Sequence, residues 1–151
     1  MQSATPKPKI IIVCGPTGIG KTSVAIKLAR HFKGQIIGAD SMQIYKYMDI
    51  GTAKPTAREQ ARVVHHMVDI VAPEKPFDAA RYAEHARGII AELCQHHILP
   101  FVVGGTGLYI KALLFGLFEG PGSDETIRSR LQKSAKEVGL GPLHQKLQQV
   151  D

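Results

Sequence analysis

The sequence predicts an α/β fold built on a parallel β-sheet, and three observations carry that prediction. Short apolar runs alternate with segments whose apolar residues recur at three- and four-residue steps, as strands alternating with helices do. The first run, 10–14, is apolar throughout, which is typical of a strand buried on both faces. A glycine-rich segment follows it at once and leads into a helical pattern, so the chain begins as a strand–loop–helix unit.

The remaining elements are predicted in chain order. The helix that begins at Lys21 is expected to end at Gly34, with an apolar face of Val24, Ala25, Leu28, Ala29 and Phe32. Further strands are predicted at 35–40, 67–71 and 99–103, and further helices at 56–64, 78–94 and 108–114. Crossovers between parallel strands are right-handed, and ligands gather at the carboxyl ends of such strands. We therefore expect the glycine-rich segment at 15–22, Asp40 and the segment at 104–107, each of which follows a predicted strand, to meet in space.

The domain organisation follows from changes in composition. Residues 1–9 are predicted to be a flexible tail, 10–118 the α/β core, and 119–151 the beginning of a helical region. In that region Ser123 and Asp124 are candidate caps for a helix over 126–138, Gly139 ends it, and 143–150 is a second helix. The sequence stops without a helix stop signal, so we expect a piece of a longer protein.

Composition narrows the class of protein. The 151 residues are 44% hydrophobic and 21% charged, and no apolar run approaches the roughly 20 residues of a membrane helix, so a cytoplasmic protein is expected. The net charge of +6 favours a polyanionic partner such as nucleic acid, although an ordinary basic enzyme surface fits as well. Cys14 and Cys94 are predicted to be reduced core cysteines, and the pairs His65-His66 and His96-His97 to be structural or surface residues.

The segment after the first strand has the spacing of a P-loop: Gly15-Pro16-Thr17-Gly18-Ile19-Gly20-Lys21-Thr22. Its glycines let backbone N–H groups point at an anion, and the following helix N-terminus adds positive charge. Lys21 supplies a charge to phosphate oxygens, and Thr22 a hydroxyl for Mg²⁺. The prediction is a P-loop NTPase-like three-layer fold, whose ligand is either a nucleotide such as ATP or a diphosphate. Asp69 is only a weak match to the second magnesium carboxylate of an NTPase.

Two further residues follow predicted strands. Asp40 is a carboxylate beside the predicted phosphate site, where it can hold Mg²⁺, accept a proton or orient a nucleophile; the alternative is a turn cap. Thr106, within Gly104-Gly105-Thr106-Gly107, is a candidate to hydrogen-bond a ligand, or part of a plain strand-to-helix turn.

Five segments together resemble the tRNA dimethylallyltransferases, also called tRNA isopentenyltransferases: 15–22, 40–45, 48–55, 65–69 and 103–109. Their order and spacing match that family across nearly the whole chain. The family is usually about twice this length, so the resemblance covers its N-terminal half. Ile19 stands where serine is common and Tyr47 where glycine is common, but neither departure removes a proposed catalytic group.

The resemblance implies transfer of a dimethylallyl group from dimethylallyl diphosphate to the exocyclic N6 amine of the adenosine 3′ of the anticodon in tRNA, with Mg²⁺. It implies that the P-loop holds the diphosphate as a leaving group, with Lys21 and Mg²⁺ at Thr22 stabilising it, and that Asp40 is the general base. Residues Thr17 to Thr22 would touch the prenyl donor. The tRNA contacts that carry over are Asp40, Ser41, Met42, Gln43, Thr106 and, in less distinctive surroundings, Arg128.

Three other functions remain open at this point. An adenylate isopentenyltransferase would prenylate a free nucleotide, and a P-loop small-molecule kinase would consume ATP. The chain by itself is also consistent with an inactive fragment that only binds diphosphate or RNA. We expect a monomer with no membrane association.

Overall fold

The computed structural model describes residues 8–117 and 124–150, which belong to two compact units divided after Leu117. The first, the core unit, has strands β1 (Ile11–Cys14), β2 (Gln35–Gly38), β3 (His65–His66) and β4 (Pro100–Gly104). Its helices are α1 (Lys21–His31), α2 (Ala57–Gln60), α3 (Ala79–Gln95) and α4 (Gly107–Phe115). The second, the helical unit, has α5 (Glu125–Val138) and α6 (Gly141–Val150).

The sheet is parallel, with the strand order β1-β4-β2-β3. Successive side chains of a strand point to opposite faces, and this divides the core into two clusters. Ile36 and Phe101 pack with α1 residues on one face, while Ile37 and Val102 pack with α3 and α4 on the other. Helices on both faces of a parallel sheet make three layers, so the predicted α/β architecture is confirmed.

Helix caps occur where the sequence supplies suitable side chains. Asp78 accepts a hydrogen bond from the Arg81 N–H and begins α3, and Asp124 accepts bonds from two N–H groups of α5. Gly139 ends α5 with a φ of 82°, a backbone conformation that favours glycine. These three predicted helix signals are confirmed, whereas Ser123 and residues 1–7 of the predicted tail lie outside the described residues.

The predictions for 56–64 and 67–71 are wrong in extent and position. The helix covers only Ala57–Gln60, where Thr56 forms a reciprocal capping box with Glu59. The third strand is His65–His66, upstream of the predicted segment. Met67 and Asp69 have positive φ angles of 61° and 56°, which interrupt an extended backbone, and only a single bridge joins Val71 to Tyr45.

The predicted end and apolar face of α1 also need correction. Gly34 is not the cap; α1 ends at His31 with Phe32 as its C-cap, and Lys33 adopts the left-handed conformation, with φ of 51°. The buried face is Ala25, Ile26 and Ala29, whereas Val24 is 48% exposed and Phe32 is 52% exposed. The predicted apolar face thus included Val24 and Phe32, which are exposed, and omitted Ile26, which is buried.

The two cysteines differ from the predicted pair of core residues. Both are free thiols, but Cys14 is exposed and Cys94 is half-buried. Cys14 is the last residue of β1, which is an edge strand of the described sheet and is only partly buried along its length. Within the described residues, no helix combines the length and apolar character needed to cross a membrane.

Candidate functional site

The P-loop connects β1 to the first residue of α1. Gly18 and Gly20 have φ angles of 87° and 86°, where a side chain would strain the backbone, so the loop depends on glycine at both positions. Lys21 begins α1, and its Nζ donates to the Pro16 carbonyl oxygen at 2.6 Å. Thr22 follows on the first turn and is half-buried. The cationic side chain and the hydroxyl thus lie at the positive end of the helix.

The ends of β2 and β4 are joined directly. Ala39 N donates to Val103 O at 2.8 Å, and Thr106 N donates to Ala39 O at 3.1 Å. Gly104 is required at this junction because a Cβ there would overlap the backbone of Ala39. The expected meeting of the segments that follow the strands is therefore confirmed for these two.

A cavity of about 250 Å³ opens at the carboxyl end of the sheet. Five P-loop residues line it: Thr17, Gly18, Gly20, Lys21 and Thr22. Asp40 and Gln43 line it from the segment after β2, and Gly104 from the end of β4. All three predicted segments therefore contribute to one cavity.

The other predicted phosphate ligands lie outside this lining. Gly15 and Pro16 border a separate apolar groove beside Cys14 and α4, and Ile19 is exposed at the tip of the loop.

The two carboxylate oxygens of Asp40 have different environments. Its Oδ1 accepts hydrogen bonds from Met42 N at 2.9 Å and from Gln43 N at 3.3 Å, which is an Asx-type turn. Its Oδ2 makes no hydrogen bond within residues 8–117 and 124–150. The turn-cap alternative is therefore correct for Oδ1, and the same contacts hold the carboxylate at the cavity.

The neighbouring predicted contacts bind mainly to the protein itself. The Thr106 hydroxyl accepts from Ser41 N at 2.9 Å and donates to Ser41 Oγ at 3.3 Å, so it joins the β4–α4 loop to the segment after β2. The Gln43 amide donates to Thr52 O at 3.1 Å and Ala53 O at 2.9 Å. Met42, between them, is exposed.

Lys54 was not predicted to have a role, yet it organises the loop over 43–55. Its Nζ lies 2.7 Å from a carboxylate oxygen of Asp49, 2.7 Å from one of Asp69, and 3.0 Å from Tyr45 O. The side chain is only 5% exposed. Burial acts to lower the pKa of Lys54, but the hydrogen bonds and charges of the two aspartates outweigh it, so the pKa is raised.

His65 is the second residue that sequence reasoning missed. It lines the cavity from β3, and its Nδ1 lies 2.8 Å from Val63 O, so Nδ1 carries the proton and donates it. Its Nε2 is buried and has no hydrogen-bond partner in the described part of the chain. Burial lowers the pKa of His65, against the opposing effects of the Val63 bond and the Glu59 charge. The neutral ring therefore presents a buried acceptor.

Arg128 belongs to the helical unit, where it is exposed on α5. Its predicted tRNA contact rests on the sequence resemblance alone. Among the described residues, no group of three or more His, Cys, Asp or Glu side chains is arranged to hold a metal ion. The cavity lining includes side-chain oxygens of the type that binds a hard cation, among them those of Thr22 and Asp40.

Two family models match the sequence. The IPP transferase model matches residues 43–151, and the isopentenyl transferase model matches residues 8–69. This chain belongs to the tRNA dimethylallyltransferase family, whose domain is described as IPP transferase. The tRNA dimethylallyltransferase of Desulfosudis oleivorans is 54% identical over 145 residues, covering 96% of this chain and 46% of that protein. The tRNA dimethylallyltransferase 2 of Syntrophus aciditrophicus is 50% identical over 151 residues, covering 100% of this chain and 49% of that protein.

Solved structures of the tRNA dimethylallyltransferase family share the fold. The full-length tRNA isopentenylpyrophosphate transferase of Bacillus halodurans is 41% identical with a TM-score of 0.73, covering 96% of this chain and 48% of that one. A eukaryotic dimethylallyltransferase acting on tRNA is 30% identical with a TM-score of 0.71, covering 80% of this chain and 31% of that one. The chain spans about half the length of the curated relatives it matches.

Proposed function

We propose that this chain forms the donor-binding part of an enzyme that transfers a dimethylallyl group from dimethylallyl diphosphate to the exocyclic N6 amine of the adenosine 3′ of the anticodon in tRNA. The product is N6-dimethylallyladenosine. The observation that carries the proposal is the single cavity lined by the P-loop, Asp40 and an apolar wall. A phosphate cradle, a carboxylate and an apolar surface are what an allylic diphosphate and its acceptor amine require. The named relatives and their tRNA substrates support the same assignment.

Different residues of the cavity bind the leaving group and accept the proton. Glycine-loop N–H groups and the Lys21 ammonium bind the diphosphate, whose negative charge grows as the allylic C–O bond breaks and the electron pair leaves with oxygen. The N6 atom forms the new N–C bond and becomes acidic. Asp40 accepts the proton that N6 releases, and its Asx-type turn holds the carboxylate in position.

Mg²⁺ fits these residues as a partner of the substrate. Mg²⁺ is usually held by one or two protein oxygens together with substrate phosphate oxygens and water. The Thr22 hydroxyl supplies a protein oxygen at the cavity, where the described residues form no carboxylate cluster. When bound, the ion would neutralise charge on the leaving diphosphate.

The proposed substrate makes tRNA the binding partner of this protein. The adenosine must leave the stacked anticodon loop to reach the cavity. We assign tRNA binding to Asp40, Ser41, Met42, Gln43 and Thr106 of the core unit and, separately, to Arg128 of the helical unit. The net charge of +6 is favourable for a polyanionic tRNA. We further propose a cytoplasmic enzyme that acts as a monomer.

A ligand-preference experiment tests this proposal against a P-loop kinase. With Mg²⁺ present, isothermal titration of the 151-residue chain should show tighter binding of pyrophosphate and dimethylallyl diphosphate than of ATP. The physical reason is that the described cavity offers a phosphate cradle with an apolar wall. Lys21→Ala should weaken all three ligands, because it removes a cation from the phosphate site. Tighter binding of ATP, or ATP consumption with a small-molecule acceptor, would favour the kinase.

A further inference from the structure

The cavity has a layered structure that the strand register defines. Gly38 pairs with Val103 near the ends of β2 and β4, and Ile36 pairs with His65 two residues earlier. Two residues of a strand rise by about 7 Å, so the Ile36–His65 pair lies one side-chain layer deeper in the sheet. All four residues line the cavity.

The deep layer lies away from the phosphate loop. Ile36 packs against Ala25 and Ile26 of α1, which places this layer on the face of the sheet that α1 covers. Lys21 and Thr22 begin α1 at the carboxyl end of the strands, beside Asp40. A ligand whose phosphates bind at the P-loop therefore points its other end down the α1 face toward the deep layer.

Several apolar residues line the cavity besides its polar groups. Val68 and Val103 line the cavity with Ile36, and Pro55 and Ala53 complete the wall from the loop before α2. A branched hydrocarbon of a few carbons suits such surfaces, because removing apolar groups from water is favourable. The polar side chain of the deep layer is that of His65.

His65 is held as a fixed wall. Its Nδ1–H donates to Val63 O at 2.8 Å, which anchors the ring through the backbone just before β3. Its Nε2 is already buried without a partner in the described residues. An apolar chain that displaced the ring would not supply the missing hydrogen bond, so nothing is gained by moving it. The next residue, His66, points to the opposite face and bonds to Gln35 Oε1 at 2.7 Å.

We propose that His65 sets the length of the prenyl chain that the donor site accepts, by closing the deep end of the cavity against which a five-carbon group terminates. This inference rests on the proposed function, since it takes the ligand to be an allylic diphosphate. Removing the imidazole ring should open space in line with the chain, and longer allylic diphosphates should then fit.

The test is isothermal titration of the 151-residue chain with Mg²⁺ and three probes: inorganic pyrophosphate, dimethylallyl diphosphate and geranyl diphosphate. The unmodified chain should bind dimethylallyl diphosphate at least about tenfold more tightly than geranyl diphosphate. His65→Ala should reduce that preference by at least about tenfold and leave pyrophosphate affinity unchanged. His65→Val, which suits a strand and is also smaller than histidine, should shift the preference in the same direction and serves if the alanine variant does not fold.

Two controls separate ring size from other effects. His65→Phe keeps a ring of similar bulk and should retain the preference for the shorter chain. His66→Ala removes an imidazole from the same strand on the opposite face and should leave all three affinities unchanged. An unchanged preference in both His65→Ala and His65→Val, or equal binding of the two prenyl donors by the unmodified chain, would overturn the proposal. Absence of any diphosphate binding by the unmodified chain would instead refute the proposed function itself, and the chain-length inference with it.

Discussion

At the residue scale, the candidate site assigns different tasks to neighbouring polar side chains. Asp40 lies at the cavity with one oxygen committed to its own turn, whereas Lys21 lies at the start of a helix beside the phosphate loop. Thr106 and Gln43 form hydrogen bonds with other residues of the protein, and these bonds join the loops that carry the site. Under the proposed function, binding of the leaving group and removal of the proton should therefore be separable by mutation.

Asp40→Asn and Lys21→Ala should have different kinetic signatures in a family-length protein that carries this sequence. Asparagine keeps the shape and the turn acceptor but not the base, so prenyl transfer to tRNA should slow by about 10² to 10⁴ with donor affinity little changed. Lys21→Ala should weaken donor binding as well as slow transfer. Single-turnover rates and donor titration measure the two effects. Near-normal transfer by Asp40→Asn would show that Asp40 is not the base.

At the scale of elements, the site depends on how closely β4 and the end of β2 approach. Thr106 N and Val103 O both bond to Ala39, and this leaves no room for a side chain at Gly104. The contact brings the segment with Asp40 next to the loop before α4. A change at this junction should therefore affect stability and site geometry together.

Gly104→Ala should destabilise the core unit by about 1–3 kcal/mol or more, because backbone atoms move less readily than side chains to relieve overpacking. Gly107→Ala is the matched control: it lies in the same loop, at the start of α4, and a Cβ there meets nothing within 4 Å. Urea unfolding of both variants gives the comparison. Equal midpoints for the two would contradict the close approach of β4 and Ala39.

At the scale of the whole molecule, two half-buried histidines couple stability to pH. Burial is the main cause that lowers the pKa of His65 and of His66 below the ordinary value of 6.5. The unfolded chain then binds protons more readily than the folded one just below that pH. The stability contribution of the neutral rings is complete above pH 6.5 and is lost as the pH falls through the lowered folded values.

The free energy of unfolding should therefore decrease between pH 7.5 and pH 5.5 more in the unmodified chain than in His65→Phe, whose side chain does not titrate. Urea midpoints at the two pH values measure this difference. His144→Phe is the control, since His144 is exposed on α6 of the helical unit, and it should keep the pH dependence of the unmodified chain. Identical pH dependence in His65→Phe and the unmodified chain would contradict the lowered pKa of His65.

Much of the fold was predictable because local patterns determine it. Strands β1, β2 and β4 and helices α1, α3, α4, α5 and α6 all appear near their predicted positions, since each combines an apolar period with a turn or cap residue. The segment 56–71 was not predictable in the same way. Positive φ angles at Met67 and Asp69 are held by tertiary contacts such as the Lys54 ion pairs, which no local pattern reveals.

The sequence by itself determined the phosphate loop, the parallel α/β fold and the expectation that Asp40 meets that loop, because glycine spacing and strand ends are local properties with a fixed consequence in parallel sheets. Only the tertiary structure decided which side chains complete the cavity. Lys54 reaches two aspartates that lie 5 and 15 residues away, and His65 enters through its register with Ile36, 29 positions earlier. Such pairings depend on the packing of distant segments, and packing is settled only when the whole core forms.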